Sequence, residues 1–577
     1  MCGIVAMIGK NEIKNELINL LEKLEYRGYD SAGIATIEKN SFKVTKQVGK
    51  VSNLKKTLTS QIHKGRIGIA HTRWATHGEV SQINAHPFNT KNWCLVHNGI
   101  INNFEQLKHE YNIKTISKTD SEVIVQLLEK QKKQNIEGII EVCKQLKGSY
   151  ALAILNKNNN EVYFAKKNSP LFIMQTKDNV IGASDVVCFA DLSQSFYRLE
   201  DEEFCKATIE KITFYDKSSK IINKNLQMVK QINYETDKGN YSHYMEKEIC
   251  ETPKVIKNIY HYYYEKNIIN FPKNFLNKFN RVKFVGCGTA YHSTLFGAKY
   301  FEKITKIESS SHLASEFESQ FLTKKTLCVF VSQSGETADT INALKWAKTK
   351  KCTTICLTNV MHSTMASLAD YCFPILAGVE IAVASTKAYC AQIIVMEILA
   401  NYFAYPSKQK LFFSKLKKFA YSLKMPSTNT INAINNHIIC ANTCFLLGRG
   451  SDYFTASESS LKIKEITYIN CSALPSGELK HGTIALVDDI IPLIMFCTKK
   501  EELDKSISSK KEVEARGGRI LFLTPFKEHG ALLQKVDDEF MPICAILPIQ
   551  LSAYQLSCLK LINPDQPRNL AKSVTVE

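Results

Sequence analysis

The first third of the chain alternates short apolar runs with polar segments. Apolar runs of strand length occur at residues 4–8, 67–70 and 94–96. Residues 13–24 carry Ile and Leu at helical spacing. Polar residues follow the second and third runs, at 71–78 and 97–99, and strand ends are where a sheet presents a site. The pattern predicts an α+β domain with a site at these strand ends.

The rest of the chain contains a divergent internal repeat of buried strands. Apolar runs at residues 282–285, 327–331 and 354–358 recur at 444–447, 492–497 and 519–524, offset by roughly 160–167 residues. Such continuously apolar strands, separated by helix-length segments, are covered on both faces. We therefore predict parallel sheets that bind ligands beyond the carboxyl ends of their strands. Residues 216–240 are polar, so the domain linker is placed there, before a helix opening near residue 244.

Composition places the chain among globular proteins. It has 577 residues, of which 44% are hydrophobic and 23% are charged, and this indicates about three or four domains with real cores. Lys and Arg number 74 against 56 Asp and Glu, a net charge of +18, but the excess is scattered Lys without a basic block. We expect no nucleic-acid partner and an attraction for anionic substrates instead.

Cysteine usage and the N-terminus favour a cytoplasmic protein. The 18 cysteines form no repeating frame and no paired CxxC sets, as expected of free thiols in a reducing compartment. The first residues lack the basic and apolar regions of a signal peptide. No run of about 18 apolar residues is present, so we expect no membrane span.

The N-terminus also carries a candidate nucleophile. Removal of Met1 would give Cys2 a free α-amine beside its thiol. An α-amine with a pKa of about 7.7–8.0 is a usable base, so nucleophile and base would share one residue. The alternative is a small buried apolar Cys.

Residues 332–337, Ser-Gln-Ser-Gly-Glu-Thr, form a candidate anion site. They follow a predicted strand and precede a predicted helix over residues 338–350. Hydroxyls, backbone N–H groups and the helix dipole at this position favour a phosphate. An ordinary helix cap is the alternative, since Ser and Thr prefer that position anyway.

Three further features have a structural as well as a functional interpretation. Glu458, Lys462 and Glu465 share one helix face, where a solvated salt-bridge face is the usual explanation. His481 lies among turn residues, where a lone His is more often structural. Lys572 lies in a C-terminal segment that composition alone describes as frayed, although a desolvated Lys there could form a Schiff base.

Taken together and in order, these stretches resemble the glucosamine-6-phosphate synthase family of isomerising glutamine:fructose-6-phosphate aminotransferases. The resemblance rests on residues 2–4, 26–33, 71–78, 97–99, 119–122, 332–337, 383–388, 477–482 and 565–577. It implies an α+β N-terminal-nucleophile glutaminase sandwich followed by two α/β parallel-sheet sugar-isomerase (SIS) domains. The expected bounds are 2–220 for the glutaminase, 221–243 for the linker, 244–405 and 430–560 for the SIS domains, and 561–577 for the tail.

The resemblance implies a role for each residue of the glutaminase site. Cys2 attacks the amide of L-glutamine with its α-amine as base, and Asn98 and the Gly99 N–H form the oxyanion hole. The glutamine-binding residues are Arg73 for the carboxylate, Asp120 for the α-ammonium, and Thr76 and His77 beside them. Released ammonia crosses a closed channel to the sugar site, with Trp74 as its gate.

It likewise implies the chemistry of the sugar site. The phosphate of D-fructose 6-phosphate is expected on Thr289, Ser332, Gln333, Ser334, Thr337 and Val383. Lys572 forms the Schiff base, Glu465 moves a proton between C1 and C2 with Glu458 and Lys462 beside it, and His481 opens the ring from the partner subunit of a homodimer. No metal or organic cofactor is expected. The products are D-glucosamine 6-phosphate and L-glutamate, at the first step towards UDP-N-acetylglucosamine.

The chain departs from the family pattern at four places. Ala290 replaces a frequent Ser, Ala382 a frequent Gly, residues 318–320 a frequently basic segment, and Thr483 a frequent Pro. The first three are expected to weaken sugar-phosphate affinity. The short linker argues against feedback by nucleotide sugars.

The sequence argues against three rival functions. Amidotransferases that make phosphoribosylamine, asparagine or glutamate need a phosphoribosyl, ATP, or flavin and iron–sulfur site, and no motif for one is visible. A deglycase of sugar-amine phosphates would lack the glutaminase head that begins with Cys2. A sugar-phosphate-sensing binding protein would not need Glu465, His481 and Lys572.

Overall fold

The computed structural model describes residues 2–189, 192, 195–228, 237–266 and 268–574. The chain forms two compact units, Met1–Glu235 with Ala571–Glu577, and Thr236–Leu570. Residues 229–236 of the predicted linker, Met1 and residues 575–577 of the tail lie outside the described residues.

The first unit contains fifteen strands and five α-helices among its described residues. The strands are β1 (Gly3–Gly9), β2 (Ser31–Glu38), β3 (Ser41–Val48), β4 (Ile67–Arg73), β5 (Phe88–Asn89), β6 (Trp93–Ile101), β7 (Gly148–Asn156), β8 (Val162–Lys167), β9 (Phe172–Gln175), β10 (Asn179–Ala183), β11 (Ser195–Arg198), β12 (Glu203–Ala207), β13 (Ile212–Tyr215), β14 (Ile221–Ile222) and β15 (Gln227–Met228). The helices are α1 (Lys14–Glu22), α2 (Val51–Leu58), α3 (Phe104–Glu110), α4 (Asp120–Lys130) and α5 (Ile136–Gln145).

These elements form a four-layer sandwich. One sheet has the order β15-β11-β9-β10-β1-β4-β2-β3 and the other β14-β13-β12-β8-β7-β6-β5. Successive side chains of β1 face different layers of the sandwich, because side chains along a strand point alternately to opposite faces of the sheet. Ile4 and Ala6 lie in the core shared with β6 and β7, whereas Val5 and Met7 pack against α1 and α2. Helices α4 and α5 cover the outer face of the second sheet.

The second unit contains the repeated strands and eleven α-helices among its described residues. The strands are β16 (Arg281–Gly286), β17 (Glu308–Leu313), β18 (Thr326–Ser332), β19 (Thr353–Thr358), β20 (Tyr371–Pro374), β21 (Thr443–Gly448), β22 (Asn470–Pro475), β23 (Leu493–Phe496) and β24 (Ile520–Leu523). The helices are α6 (Tyr244–Cys250), α7 (Thr252–Tyr260), α8 (Gly288–Thr305), α9 (Ala338–Thr349), α10 (Thr364–Leu368), α11 (Lys387–Tyr402), α12 (Pro406–Ser422), α13 (Thr428–Ile438), α14 (Ser451–Thr467), α15 (Leu503–Glu514) and α16 (Met541–Leu559).

Both predicted parallel sheets are present. Their orders are β17-β16-β18-β19-β20 and β22-β21-β23-β24, so the two sheets share the same strand order over the repeated part. Every pairing in them is parallel. One hydrophobic core joins the two domains through helices that both sheets share, including α8, α11, α14 and α16. The repeat therefore folds as one unit with two sheets.

Helix α16 is the one apolar helix of membrane-spanning length among the described residues. Its mean hydropathy is 1.3 over 18 residues, and 78% of that window is buried. Its residues Ile543, Ile546 and Ile549 belong to the shared core of the second unit. Length and composition alone are weak evidence for a membrane span, because the core helix of a globular protein satisfies the same criterion.

Two local features differ from the sequence expectation. Strands β4 and β6 continue through the polar residues 71–73 and 97–99, because these residues still pair with neighbouring strands. The polar strands β17 and β22 had no apolar run to predict them. They lie at sheet edges, where only one side of the strand must be paired.

Candidate active site

Cys2 lies immediately before β1, beside the end of β4. The N–H of Gly3 donates to Oγ1 of Thr72 at 3.1 Å, which fixes the start of the strand. The N–H of Trp74 donates to the Cys2 sulfur at 3.2 Å. Burial raises the pKa of the Cys2 thiol, and the Trp74 N–H and the charge of Arg73 oppose that rise. The pairing of β1 with β4 therefore brings residue 2 next to residues 72–74.

Asn98 and Gly99 lie on β6, and Asn98 contacts Cys2. Nδ2 of Asn98 donates to the backbone oxygen of Cys2 at 2.8 Å. Gly99 has φ of +140°, and a Cβ there would lie 2.0 Å from the backbone oxygen of Ser149. Only glycine fits this position without backbone movement. Asn98, one of the two predicted oxyanion-hole residues, is thus held against the backbone of Cys2, and Gly99 follows it on β6.

The predicted glutamine-binding residues surround the same strand ends. The Arg73 guanidinium donates to the backbone oxygens of Gly78 at 3.0 Å and of His77, so the segment after β4 folds around it. Burial lowers the pKa of Arg73, and the charges of Cys2, Asp30 and Asp120 oppose this decrease. Asp120 begins α4, and its Oδ2 accepts from the N–H of Ile101 at 2.8 Å.

The remaining predicted residues of this site lie on the segment after β4. Thr76 is exposed, and His77 is half-buried against the edge of Phe104, with 5.5 Å between ring centroids. Trp74 is half-buried and meets Tyr29 edge to face at 5.7 Å.

Residues 332–337, here called the serine loop, connect β18 to α9. Oγ of Ser332 accepts from the N–H of Gly335 at 3.1 Å and lies 3.2 Å from Oγ1 of Thr337. Oγ of Ser334 accepts from the N–H of Glu336 at 3.2 Å. Gly335 has φ of +64°, and a Cβ there would lie 2.1 Å from Oγ of Ser363. The loop is a compact array of hydroxyls at the carboxyl edge of the first parallel sheet.

The equivalent position in the second SIS domain is already occupied by a carboxylate. Thr498 follows β23 as Gln333 follows β18, and Asp452 stands where the first domain has Ala290. Oδ2 of Asp452 accepts from the N–H of Thr498 at 2.8 Å, and Oδ1 accepts from its hydroxyl at 2.6 Å. A phosphate would meet this buried carboxylate, so the first domain is the better anion site.

Glu458, Lys462 and Glu465 form a buried row of charges on α14, which we call the α14 charge row. Glu458 and Lys462 have side chains that are 0% exposed, and Glu465 is 20% exposed. Nζ of Lys462 lies 2.6 Å from Oε2 of Glu465 and 3.6 Å from Oε1 of Glu458. Burial lowers the pKa of Lys462, but the two carboxylates outweigh it and the pKa is raised. The solvated-face alternative is therefore excluded.

Two residues of α8 complete this row. The hydroxyl of Thr289 donates its proton to Oε1 of Glu458 at 3.0 Å. That hydrogen bond ties Thr289 to the α14 charge row. Nδ1 of His292 lies 2.8 Å from Oε2 of Glu458. Sequence reasoning did not single out His292, because a lone His on a helix carries no pattern. The only available signal was its place one turn after the Gly-Thr that follows β16.

The last predicted sugar-site residues lie on loops. His481 ends a short turn, Leu479–His481, and its side chain is exposed. The N–H of Val383 donates to the backbone oxygen of Asp565 at 3.1 Å. The Asp565 carboxylate in turn accepts from the N–H groups of Tyr244 and Met245 at 3.0 and 2.8 Å. The start of the tail is therefore anchored to α6 rather than frayed.

Lys572 lies beyond this anchor. It is half-buried and belongs to the segment Ala571–Glu577, which groups with the first unit. The structure thus brings the predicted glutaminase residues 2, 73, 98, 99 and 120 together within the first unit. In the second unit it brings together Thr289 and the α14 charge row. Among the described residues, no group of three or more His, Cys, Asp or Glu side chains is placed to hold a metal ion.

Comparisons with known proteins match both halves of the chain. A family model for a glutamine amidotransferase domain matches residues 71–191, and one for the SIS domain matches residues 275–402 and 437–557. The relative from Clostridium acetobutylicum named glutamine–fructose-6-phosphate aminotransferase (isomerizing) is 39% identical over 611 residues, covering 100% of both chains. Relatives of the same name from Clostridium tetani and Brucella abortus are 38% and 36% identical over 610 and 608 residues, again over 100% of both chains.

The chain belongs to the glutamine–fructose-6-phosphate aminotransferase (isomerizing) family. A solved structure agrees: the C-terminal domain of glucosamine-fructose-6-phosphate aminotransferase from Francisella tularensis is 32% identical, with a TM-score of 0.54, and covers 57% of this chain and 100% of that chain. Membership confirms the resemblance and the predicted fold class, a glutamine amidotransferase domain followed by two SIS domains. Because the relatives are named as aminotransferases, membership also identifies the chain as an enzyme.

Proposed function

We propose that this enzyme converts L-glutamine and D-fructose 6-phosphate to L-glutamate and D-glucosamine 6-phosphate, the first step towards UDP-N-acetylglucosamine. One observation carries the proposal beyond family membership. In one unit the chain holds Cys2 with an amide N–H donor on its backbone oxygen, and in the other it holds the buried α14 charge row with the Thr289 hydroxyl bonded to it. A glutaminase alone would need only the first, and a sugar-phosphate isomerase only the second.

In the glutaminase half, the Cys2 sulfur attacks the side-chain amide carbon of glutamine. With Met1 removed, the α-amine of Cys2 takes the thiol proton and returns it to the leaving ammonia, and this is N-terminal-nucleophile chemistry. Nδ2 of Asn98 and the N–H of Gly99 stabilise the negative oxygen of the tetrahedral intermediate. Water then hydrolyses the thioester to release glutamate.

Four side chains are proposed to hold the rest of the glutamine. Arg73 binds its α-carboxylate, since a guanidinium can offer two parallel N–H donors. Asp120 binds its α-ammonium, and Thr76 and His77 line the segment between them. Arg73 and Asp120 are both buried, and this supports their proposed contacts with glutamine. Ionic contacts made away from water are stronger than those made in water.

In the sugar half, the first SIS domain is proposed to bind the phosphate. Its contacts are Ser332, Gln333, Ser334, Thr337, the backbone at Val383 and, more weakly, Thr289, whose proton is donated to Glu458. The second SIS domain supports the same choice, because Asp452 already fills the corresponding position there.

Lys572, Glu465 and His481 are proposed to carry the chemistry on the sugar. His481 opens the ring, acting from the partner subunit of a homodimer, and the Lys572 amine forms an imine with the C2 ketone and releases water. Ammonia replaces the lysine at C2, and Glu465 moves a proton from C1 to C2 to give the aldose. Lys462 keeps Glu465 oriented through the 2.6 Å pair, and Glu458 lies 3.6 Å from the same ammonium.

We also propose that ammonia passes from Cys2 to the sugar through an enclosed channel gated by Trp74, and that the enzyme is cytoplasmic.

Purified protein incubated with glutamine and fructose 6-phosphate tests the proposed reaction. One glutamate should form for each glucosamine 6-phosphate. Glutamate without any amino sugar, or glucose 6-phosphate without glutamate, would contradict the proposal.

A further inference from the structure

His71 lies behind the proposed oxyanion hole and is completely buried. It lies in the middle of β4, where it pairs with Ile4 of β1 and Gly33 of β2. Ile67 and Ile69 of the same strand belong to the core between the two sheets. Because strand side chains alternate, His71 continues that face toward β6. The backbone of His71 is therefore fixed between β1 and β2, and its imidazole lies between the two sheets.

The hydrogen bonds of His71 fix which nitrogen carries its proton. Nε2 lies 3.1 Å from the backbone oxygen of His97 and 3.2 Å from Oδ1 of Asn98, and both atoms are acceptors. Nδ1 is buried without a hydrogen-bond partner among the described residues. Burial lowers the pKa of His71 to about 3, so the ring is neutral at physiological pH. The neutral ring must carry its single proton on Nε2.

A second histidine holds the ring plane of His71. His86 stacks on it with 4.0 Å between ring centroids and 21° between planes. Nδ1 of His86 accepts from the N–H of His97 at 3.3 Å, so this ring is tied to β6 as well. His86 stacks on His71, and its hydrogen bond goes to His97 instead of Asn98. A variant of His86 therefore tests the packing of His71 separately from its hydrogen bond to Asn98.

An amide side chain has one donating end and one accepting end. The His71 proton attracts Oδ1 of Asn98, which turns Nδ2 toward Cys2, where it donates at 2.8 Å. With the amide flipped, Oδ1 would face the backbone oxygen of Cys2 and the position where the oxyanion forms. We propose that His71 is a positioning residue that fixes the Asn98 amide so that its N–H, and not its oxygen, points into the glutaminase site. The inference rests on the proposed glutaminase function of Cys2 and Asn98.

Three variants of the full-length enzyme test the inference. His71→Leu removes the N–H, His71→Gln keeps an amide N–H at the ε position, and His86→Asn disturbs the stack while keeping an acceptor at the δ position. We expect His71→Leu to lower kcat for glutamine hydrolysis by about 10- to 100-fold, since loss of an oxyanion donor costs about 10²–10³. KM should change less than about 3-fold, because the ground-state amide does not need the donor. His71→Gln and His86→Asn should stay within about 5-fold of the unmodified enzyme.

Glutamine binding in the Cys2→Ala background distinguishes positioning from folding. Calorimetry should give Cys2→Ala and Cys2→Ala/His71→Leu the same affinity within about 3-fold. Unchanged kcat in His71→Leu, an equal loss in His71→Gln or His86→Asn, or an affinity loss that matches the kcat loss would overturn the inference. If His71→Leu does not fold, the rate of His71→Gln decides alone. Absence of glutaminase activity in the unmodified enzyme would instead refute the proposed function.

Discussion

Replacing Lys462 with Met should destabilise the second unit strongly, because the α14 charge row contains two carboxylates and one ammonium. Lys462 and Glu458 are fully buried, and Nζ of Lys462 lies 2.6 Å from Glu465 and 3.6 Å from Glu458. Removing the ammonium leaves both carboxylates without their lysine counter-ion, although Thr289 and His292 still contact Glu458. Breaking a buried pair in this way costs about 3–5 kcal/mol. At about 2 °C per kcal/mol for a unit of this size, the midpoint of thermal unfolding should fall by about 6–10 °C.

Glu458→Gln is the matched control, because it removes one of the two carboxylates and leaves the closer pair intact. The amide can still accept from Thr289, so the cost should be about 1 kcal/mol, or about 2 °C. Differential scanning calorimetry measures both midpoints, and thermal loss of glutamine hydrolysis identifies the transition of the first unit. A midpoint for Lys462→Met within about 2 °C of the unmodified protein, or a larger loss in Glu458→Gln, would refute the reasoning.

Three other changes give separate readouts. Cys2→Ala should abolish glutamine hydrolysis but leave conversion of fructose 6-phosphate to glucose 6-phosphate intact, and residual hydrolysis in the purified variant would exclude Cys2 as the nucleophile. Lys572→Arg should stop sugar turnover without changing glutamine hydrolysis, since a guanidinium cannot form the imine; borohydride trapping of the sugar on a different lysine would contradict this role. Glu397 is buried, its Oε2 has no hydrogen-bond partner among the described residues, and burial raises its pKa well above the usual range. The stability that neutral Glu397 contributes is therefore complete below the unfolded pKa of about 4.5. It declines as pH rises, by about 1.4 kcal/mol per pH unit up to the folded pKa. Glu397→Gln should unfold at a higher temperature than the unmodified protein at pH 8 but not at pH 4.5, and equal differences at both values would exclude a neutral Glu397.

The sequence predicted those parts of the fold that depend on a local hydrophobic pattern. Continuous apolar runs identified β16, β18 and β19 and their copies β21, β23 and β24, because parallel strands are buried on both faces. The polar edge strands β17 and β22 were missed, since their pairing is decided by a neighbouring strand and not by their own residues.

The site residues divide in a similar way. Periodicity placed Glu458, Lys462 and Glu465 on one face but could not show that the face is buried, because that depends on α8, α11 and α16 packing over α14. The sequence included His71 in a candidate site segment but assigned it no role, and it did not single out His292, because each acts through a partner on a different element. Cys2 was found because its chemistry lies in one residue and its own backbone.

The central claim is that the amide nitrogen of glutamine becomes the amino group of the sugar within this chain. Amide-¹⁵N glutamine, fructose 6-phosphate and an excess of unlabelled ammonium test it in one mass measurement. The account predicts glucosamine 6-phosphate that carries ¹⁵N in nearly every molecule. Product that contains mainly unlabelled nitrogen, or no amino sugar at all, would contradict it.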